Sequence, residues 1–585
     1  MPNWTEAQRQ AIDARNSETL VSAAAGSGKT AVLVEHVLQM LRDGGNISRL
    51  LIITFTRAAA AELRERLMNA ISNETAENKH MRTQLRAARH AQISTLHVFC
   101  HHIIREYFQS ADVDPMAKIA DETTLNPLLA RAVDDAMEAL CASEDEDAKS
   151  LVSQYGDDQI VDMAKQLYYF LQAQADPQGF LDRTMEDPLG DGLKPFLLLL
   201  KKEALMRIEG ALQLNDQCKA LLERPNAPKY LQSTVENDRI VLEGLQQEMR
   251  SREPDRGELH FATKSRAPKN AEFDASLAER FSKLRERMKE LAGEAAVMVP
   301  RDLEEARSEI AYTLPALRAL IALTKDIEKR YAGLKEARDL LDYNDLEHKA
   351  LLALSDERVR TQVSAAYDAI FVDEYQDVSA IQEAIVRCIH NDNNRLFMVG
   401  DVKQSIYRFR LADPSLFLAK YNEFEEKSDA PARKILLSSN FRSRGNVLAA
   451  VNCVFARAMR RGATEIDYDE AAQLRAGIPT EGDPPVELHL ISESADEEDE
   501  KNEEDTRKGW MYEAQLAAQR ILALIGTPIR CKEGVRPLHY RDCVILLRNA
   551  SGRAGQIAKI LANEGVPAYS DADAQFFELP EVRDM

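Results

Sequence analysis

The sequence predicts an α/β protein, built on parallel sheet of the phosphate-binding kind and interrupted by a large, mostly helical insertion. Three observations predict it. A strand, a glycine loop and a helix follow one another near the start. A second buried strand ends in two acids, the first of them 344 positions after the loop's lysine. Helical periodicity fills much of the interval. At 585 residues there is room for about three to four domains. With 45% hydrophobic and 29% charged residues, the chain can bury sizeable cores, which excludes wholesale disorder.

The elements follow in order. TLVSA, ending at Ala23, reads as a strand, AAGSGKT as a small-residue loop and AVLVEHVLQML as a helix. LLIIT (residues 50–54) is the next buried strand, and an amphipathic helix runs from Arg57 to about Ile71. From about Asp112 to Leu354, Leu, Ala, Glu, Lys and Arg recur at helical spacing between polar breaks such as RPNAPK and SREPDRGE. The α/β texture resumes at AAYDAIFVDEYQDV, RLFMVGDVKQS and RKILLSSNFRS. Beyond Gly445, PVELHLI and DCVILLR read as strands around an acidic run, Ser492 to Lys508, which reads as a solvated loop. The expected organisation is therefore a first α/β domain in two halves, 1–111 and 355–444, a helical insertion at 112–354, and an incomplete second α/β domain at 445–585. No repeat of 20–50 residues is evident, which argues against a solenoid.

Several classes are excluded. The apolar run Pro195 to Leu200 is ended by Lys201 and Lys202, far short of the ~20 residues of a membrane helix. MPNWTEAQRQ has neither the basic start nor the apolar core of a secretory signal. The seven cysteines stand singly, without a C-x-x-C pair, so free thiols in a reducing cytoplasm are expected and a zinc or iron–sulfur site is not. A net charge of −21 argues against a basic coat for nucleic acid and leaves room for a local basic groove.

The chemistry concentrates in Ala23-Ala24-Ala25-Gly26-Ser27-Gly28-Lys29-Thr30, a phosphate loop with Ala23 where its pattern has a first glycine. Gly26 and Gly28 let the backbone turn its N–H groups toward phosphates, and the following helix offers its positive end. Lys29 would reach the β- and γ-phosphates of ATP, and Thr30 would ligate Mg²⁺. After the apolar run Ala369 to Val372, Asp373 would complete the Mg²⁺ shell and Glu374 would activate the attacking water. Gln404, after another apolar strand, would sense the γ-phosphate, and Arg442 would neutralise charge in the transition state. Phe55, Tyr407 and Phe409 offer rings for bases, with Arg57, Arg408 and Arg410 as cations and His97 as a phosphate donor. Tyr407 to Arg410 alternate ring and cation, so an extended strand would put the rings on one side and the arginines on the other.

In order and wording these motifs resemble the superfamily-1 helicases of the UvrD/Rep type. Gln8 in WTEAQ looks like the adenine-reading glutamine. TFTR followed by AAAAELRERL resembles the motif lining the single-strand path, and Ser94-Thr95-Leu96-His97 resembles the next DNA-contacting motif. DEYQD, GDVKQSIYRFR and NFRS follow in the expected sequence, with Phe441 placed to stack on adenine. Finer wording is similar to the AddA subunits of bacterial AddAB helicase–nucleases, as in SAAAGSGKTAVLVEHV, IADETTLNPLLARAVDDA, LDYNDLEHKAL and RPLHYRDCVILLR. The resemblance implies RecA-like motor domains, ATP-driven 3′ to 5′ movement on DNA and an AddB-like partner. It also implies double-strand break repair by homologous recombination in the cytoplasm, and a nuclease domain farther along.

Two departures stand out. Phe409 replaces a base-stacking tryptophan, and Ala31 a basic residue. FFELPEVRDM resembles the motif before a second insertion domain. The later helicase motifs and a D-x-K nuclease pattern are not in evidence, so the expectation is a partial product that binds nucleotide and hydrolyses it poorly. A monomeric UvrD/Rep-like repair helicase and a non-translocating P-loop ATPase remain the alternatives.

Overall fold

The computed structural model describes residues 4–75, 78–186, 193–251, 259–268, 272–299, 303–460, 464, 466–478, 482–491, 509–531, 534–549 and 553–570. They fall into two units, Met1–Asp483 and Pro484–Met585. In chain order the first unit carries β1 (Glu18–Ala23), β2 (Leu50–Thr54), β3 (Gln92–Thr95), β4 (Lys118–Ile119), β5 (Leu340–Leu341), β6 (Ala369–Val372), β7 (Arg395–Gly400) and β8 (Ala432–Leu437). Six of these form one parallel sheet in the order β3–β2–β6–β7–β1–β8. β1, from the start of the chain, lies between β7 and β8, with Glu18 beside both Leu396 and Ala432.

The strand sequences explain this placement. A strand covered on both faces is apolar at every position, and LLIIT is buried throughout. Successive residues alternate between two cores. Leu20, Leu51, Ile53, Ile370, Val372, Leu396 and Met398 face one, and Val21, Ile52, Phe371, Phe397 and Val399 face the other. Helices Glu6–Ile12, Lys29–Arg42, Arg57–Asn73 and Lys79–Ala88 cover the second core through residues such as Ile12, Leu33, Leu67 and Met81. Helices Leu96–Glu106, Tyr343–Ser355, Glu357–Ala365, Ala380–Ile389 and Pro414–Glu423 cover the first through Phe99, Leu346, Val359, Ile385 and Phe417.

Between β3 and β6 the chain is mostly helical, and its long helices bury cores of their own. Leu129, Ile160 and Ile327 belong to one, and Ile208, Leu242 and Met288 to another. β4 and β5 close the root of this excursion as a parallel pair. There Lys335 Nζ bridges Asp342 (2.7 Å) and Asp345 (2.6 Å). Asp342 also caps helix Tyr343–Ser355, so the ion pair fixes where the chain re-enters the α/β part.

Two short strands, β9 (Ser439–Asn440) and β10 (Arg475–Ala476), pair farther along. The second unit holds the hairpin β11 (Pro528–Cys531) and β12 (Gly534–Pro537), and helix Gly509–Leu524 packs on helix Ala554–Asn563. PVELHLI and DCVILLR are not strands. The alternation of the first and the continuous apolar run of the second suit one, but a strand exists only by pairing. Among the described residues no strand lies beside them, and Leu488 and Leu546 stand exposed. The acidic run Ser492 to Lys508 and the terminal FFELPEVRDM lie outside the described residues.

Candidate nucleotide site and aromatic cluster

The phosphate loop leaves β1 at its carboxyl end, where the Ala24 N–H donates to Leu437 O (2.8 Å). Gly26 and Gly28 adopt φ of +67° and +83°, left-handed values that favour glycine. Gly26 also has no room for a side chain, since a Cβ there would lie 2.6 Å from Asn440 Nδ2 and 2.8 Å from Arg442 Cβ. The NFRS segment is held on this loop. Asn440 Nδ2 donates to Ala25 O (2.6 Å) and the Phe441 N–H to Gly26 O (2.8 Å). From the other side Gln8 Nε2 donates to Ser27 O (3.0 Å).

Helix Lys29–Arg42 begins at Gly28 with no side chain capping its first turn, which contains Thr30. Its leading N–H groups and positive end therefore meet the loop. Ser27 Oγ is buried with no hydrogen-bond partner among the described residues.

The acidic doublet arrives from β6. The Asp373 N–H donates to Ile53 O (2.9 Å), and Glu374 takes a left-handed φ of 51° that a non-glycine residue adopts only at a cost. This turn brings Glu374 Oε2 to 2.9 Å from Lys29 Nζ, so residues 345 positions apart form one site. Burial pushes the Asp373 carboxyl up to about 6, with the charge of Glu374 adding to the effect. Asp377 is likewise pushed up to about 6, by burial first and Glu374 second. Gln404, after β7, donates from Nε2 to Asp401 Oδ2 (2.8 Å). No carboxylate among the described residues pairs with Arg442.

The rings form a second group. Phe55 and Tyr407 lie 4.6 Å apart between centroids, and Tyr407 and Phe409 lie 5.8 Å apart. Tyr407 to Arg410 are not extended. Arg408–Arg410 is a 3-10 turn, closed by Arg410 N–H to Tyr407 O and Leu411 N–H to Arg408 O (2.8 Å each). The turn swings Arg410 over both rings, 5.3 Å from Tyr407 and 5.7 Å from Phe409, instead of opposite them. Phe409 is 76% exposed. Nearby, Arg57 donates to the Tyr343 hydroxyl (3.2 Å), and His97 Nε2 lies 3.2 Å from Glu347 Oε1. A cavity of about 220 Å³ is lined by Phe55, Thr95, His97 and Arg410 at one part, and by Asp373, Glu374 and Asp377 at another. The acidic doublet thus shares a cavity with Phe55 and Arg410 of the ring cluster.

The family model for the UvrD/REP helicase N-terminal domain matches residues 4–425. The chain belongs to the UvrD/Rep helicase family. Its curated relatives are named as the A subunits of ATP-dependent helicase/nucleases. The one from Alkaliphilus oremlandii is 36% identical over 602 residues, covering 100% of this chain and 50% of the relative. The one from Bacillus velezensis is 34% identical over 621 residues (99% and 50%), and the one from Clostridium acetobutylicum 34% over 651 (100% and 51%). The chain spans about half the length of the curated relatives it matches.

Within this UvrD/Rep-type framework the site suits a magnesium-bound triphosphate. The buried Ser27 hydroxyl, the uncapped helix start and the glycine cradle suit an anion, and the Asp373 carboxyl beside Glu374 suits a cation. Of the residues expected from the sequence, Gln8, Ala23, Ala24, Ala25, Gly26, Ser27, Gly28, Lys29, Thr30, Phe441 and Arg442 lie on or against the loop. Glu374 meets it at Lys29 with Asp373 beside it, and Gln404 is held on Asp401, away from the loop's own bonds. Phe55, Tyr407, Phe409 and Arg410 form the ring cluster, with Arg57, Thr95 and His97 bordering the same region. Sequence reasoning passed over Gln376, Asp377, Asp401, Tyr343 and Glu347. Gln376 and Asp377 stand inside DEYQD and Asp401 inside GDVKQS, but a residue's neighbours across a sheet are not written in its local wording. No helix among the described residues is long and apolar enough to cross a membrane.

Proposed function

We propose that this chain is the motor portion of an ATP-driven DNA translocase, moving 3′ to 5′ and serving double-strand break repair by homologous recombination. The observation that carries the reading is the Lys29–Glu374 contact, formed across the sheet, with Glu374 lining the same cavity as Phe55 and Arg410 of the ring cluster. ATP would be held by Gln8, the loop 23–30 and Phe441, and Mg²⁺ by Thr30 and Asp373. Mg²⁺, when bound, supplies a Lewis acid that offsets negative charge on phosphate oxygens. Glu374 would orient and deprotonate the attacking water, and Lys29, freed from Glu374, would face the phosphates. Arg442, already packed on the loop, would add positive charge.

Phe55, Tyr407, Phe409 and Arg410 would grip bases and backbone of a single strand, with Arg57, Thr95 and His97 along the same path. In this reading 1–111 and 355–444 make the first motor domain, 112–354 its helical insertion and 445–585 part of a second motor domain. The relatives' names support a nuclease activity in the whole protein and a partner subunit, which the wording of the motifs makes AddB-like. The test is displacement of a protein roadblock from single-stranded DNA by the full-length protein. ATP-dependent displacement only toward the 5′ end is expected. Single-strand-stimulated ATP hydrolysis with no displacement from either end would make the chain a non-translocating ATPase.

A further inference from the structure

We propose that Gln376 is a positioning residue that couples the Glu374 carboxylate to the segment bearing Gln404, Tyr407 and Phe409. The inference rests on the reading of Glu374 and of the ring cluster given above. Gln376 is 1% exposed, so every polar atom of its amide must find a partner inside the protein. Nε2 donates to Glu374 Oε2 (2.9 Å) and Asp377 Oδ2 (3.3 Å). Oε1 accepts the backbone N–H of Asp401 (2.9 Å). That backbone donor cannot become an acceptor, so it fixes which end of the amide faces it and leaves N–H for Glu374.

The chain of bonds continues. The Asp401 carboxylate accepts Gln404 Nε2 (2.8 Å) at Oδ2 and Lys403 Nζ (2.9 Å) at Oδ1. Ser405 Oγ donates to the Gln376 carbonyl (3.4 Å), and Tyr407 stands two residues on. Lys29, Glu374, Gln376, Asp401 and Gln404 thus form one relay from the phosphate loop to the base of the ring cluster. Space is reserved for it, because a Cβ on Gly400 would meet Gln376 Oε1 at 2.5 Å. When Lys29 leaves Glu374, Gln376 is the remaining side-chain donor to that carboxylate among the described residues, and a movement of Glu374 is passed to the end of β7.

Binding measurements on the full-length protein test this. Single-strand affinity is measured with and without a non-hydrolysable ATP analogue in wild type, Gln376→Ala and Gln376→Glu, beside ATP turnover. In wild type the analogue changes single-strand affinity several-fold. In Gln376→Ala that ratio falls to about 1 and kcat drops about 10- to 100-fold, while the analogue's own affinity stays within about three-fold. Gln376→Glu keeps the acceptor for Asp401 but loses the donor to Glu374, so it is equally uncoupled.

A coupled, fully active Gln376→Glu would reduce Gln376 to a strut and overturn the proposal, even if Gln376→Ala fails to fold. Lys29→Ala separates the two ideas. If Lys29→Ala turns over ATP normally, the nucleotide-site reading itself is wrong. If Lys29→Ala is inactive and both Gln376 variants behave as wild type, only the relay fails.

Discussion

Asp373 and Asp377 make the residue-scale chemistry measurable. Each carboxyl is held near 6 in the folded chain, against an ordinary value of 3.8, with burial the main cause. A raised carboxyl binds its proton more tightly folded than unfolded, so each group destabilises the nucleotide-free fold as pH rises from about 4 through 6. Asp373→Asn should therefore stabilise that state at pH 7, by up to about 3 kcal/mol, and lose the advantage as pH falls toward 4. Thermal unfolding of both proteins across that range checks it. A difference independent of pH would remove the buried-charge account. Phe409, being mostly exposed, behaves differently. Phe409→Ala should leave thermal stability nearly unchanged while weakening single-strand binding by about 1–3 kcal/mol in a fluorescence titration. Residue types at Lys29, Asp373 and Phe409 were legible because each belongs to a local pattern. The amide of Gln376 was not, since its partners are a carboxylate beside it and a backbone N–H after a different strand.

Elements were legible where the pattern reports burial. The run LLIIT predicts a strand over 50–54, and the strand occupies those residues. The helix expected from Arg57 to about Ile71 runs to Asn73, where the Glu74 N–H closes it on Ile71 O. Reading failed where pairing decides. PVELHLI alternates and DCVILLR is a continuous apolar run, yet neither finds a neighbouring strand among the described residues, and Tyr407 to Arg410 alternate yet close into a turn. The root of the helical excursion shows how one charge can fix an element. Lys335 is buried between two carboxylates and lies 4.4 Å from the Tyr331 ring. Lys335→Met should cost about 3–5 kcal/mol, because it leaves Asp342 and Asp345 buried without a cation. Chemical denaturation of the variant checks this, and an unchanged midpoint would show that the root is held by β4 and β5 alone.

At the scale of the whole molecule, the sheet draws its strands from two distant stretches, 18–95 and 369–437. Sequence spacing alone demanded this, since Lys29 and Asp373 can share one site only if what separates them leaves the sheet and returns. The common cavity was not legible, because its walls come from β2, β3, β6 and helix Tyr343–Ser355 together. The central claim is that the glycine loop and the acidic doublet work as one nucleotide engine driven by contact with a single strand. Its most direct measurement is single-strand-stimulated ATP turnover by the full-length protein carrying Lys29→Ala, set beside its DNA affinity. The account predicts turnover reduced to background with DNA binding retained; a rate equal to wild type would contradict it.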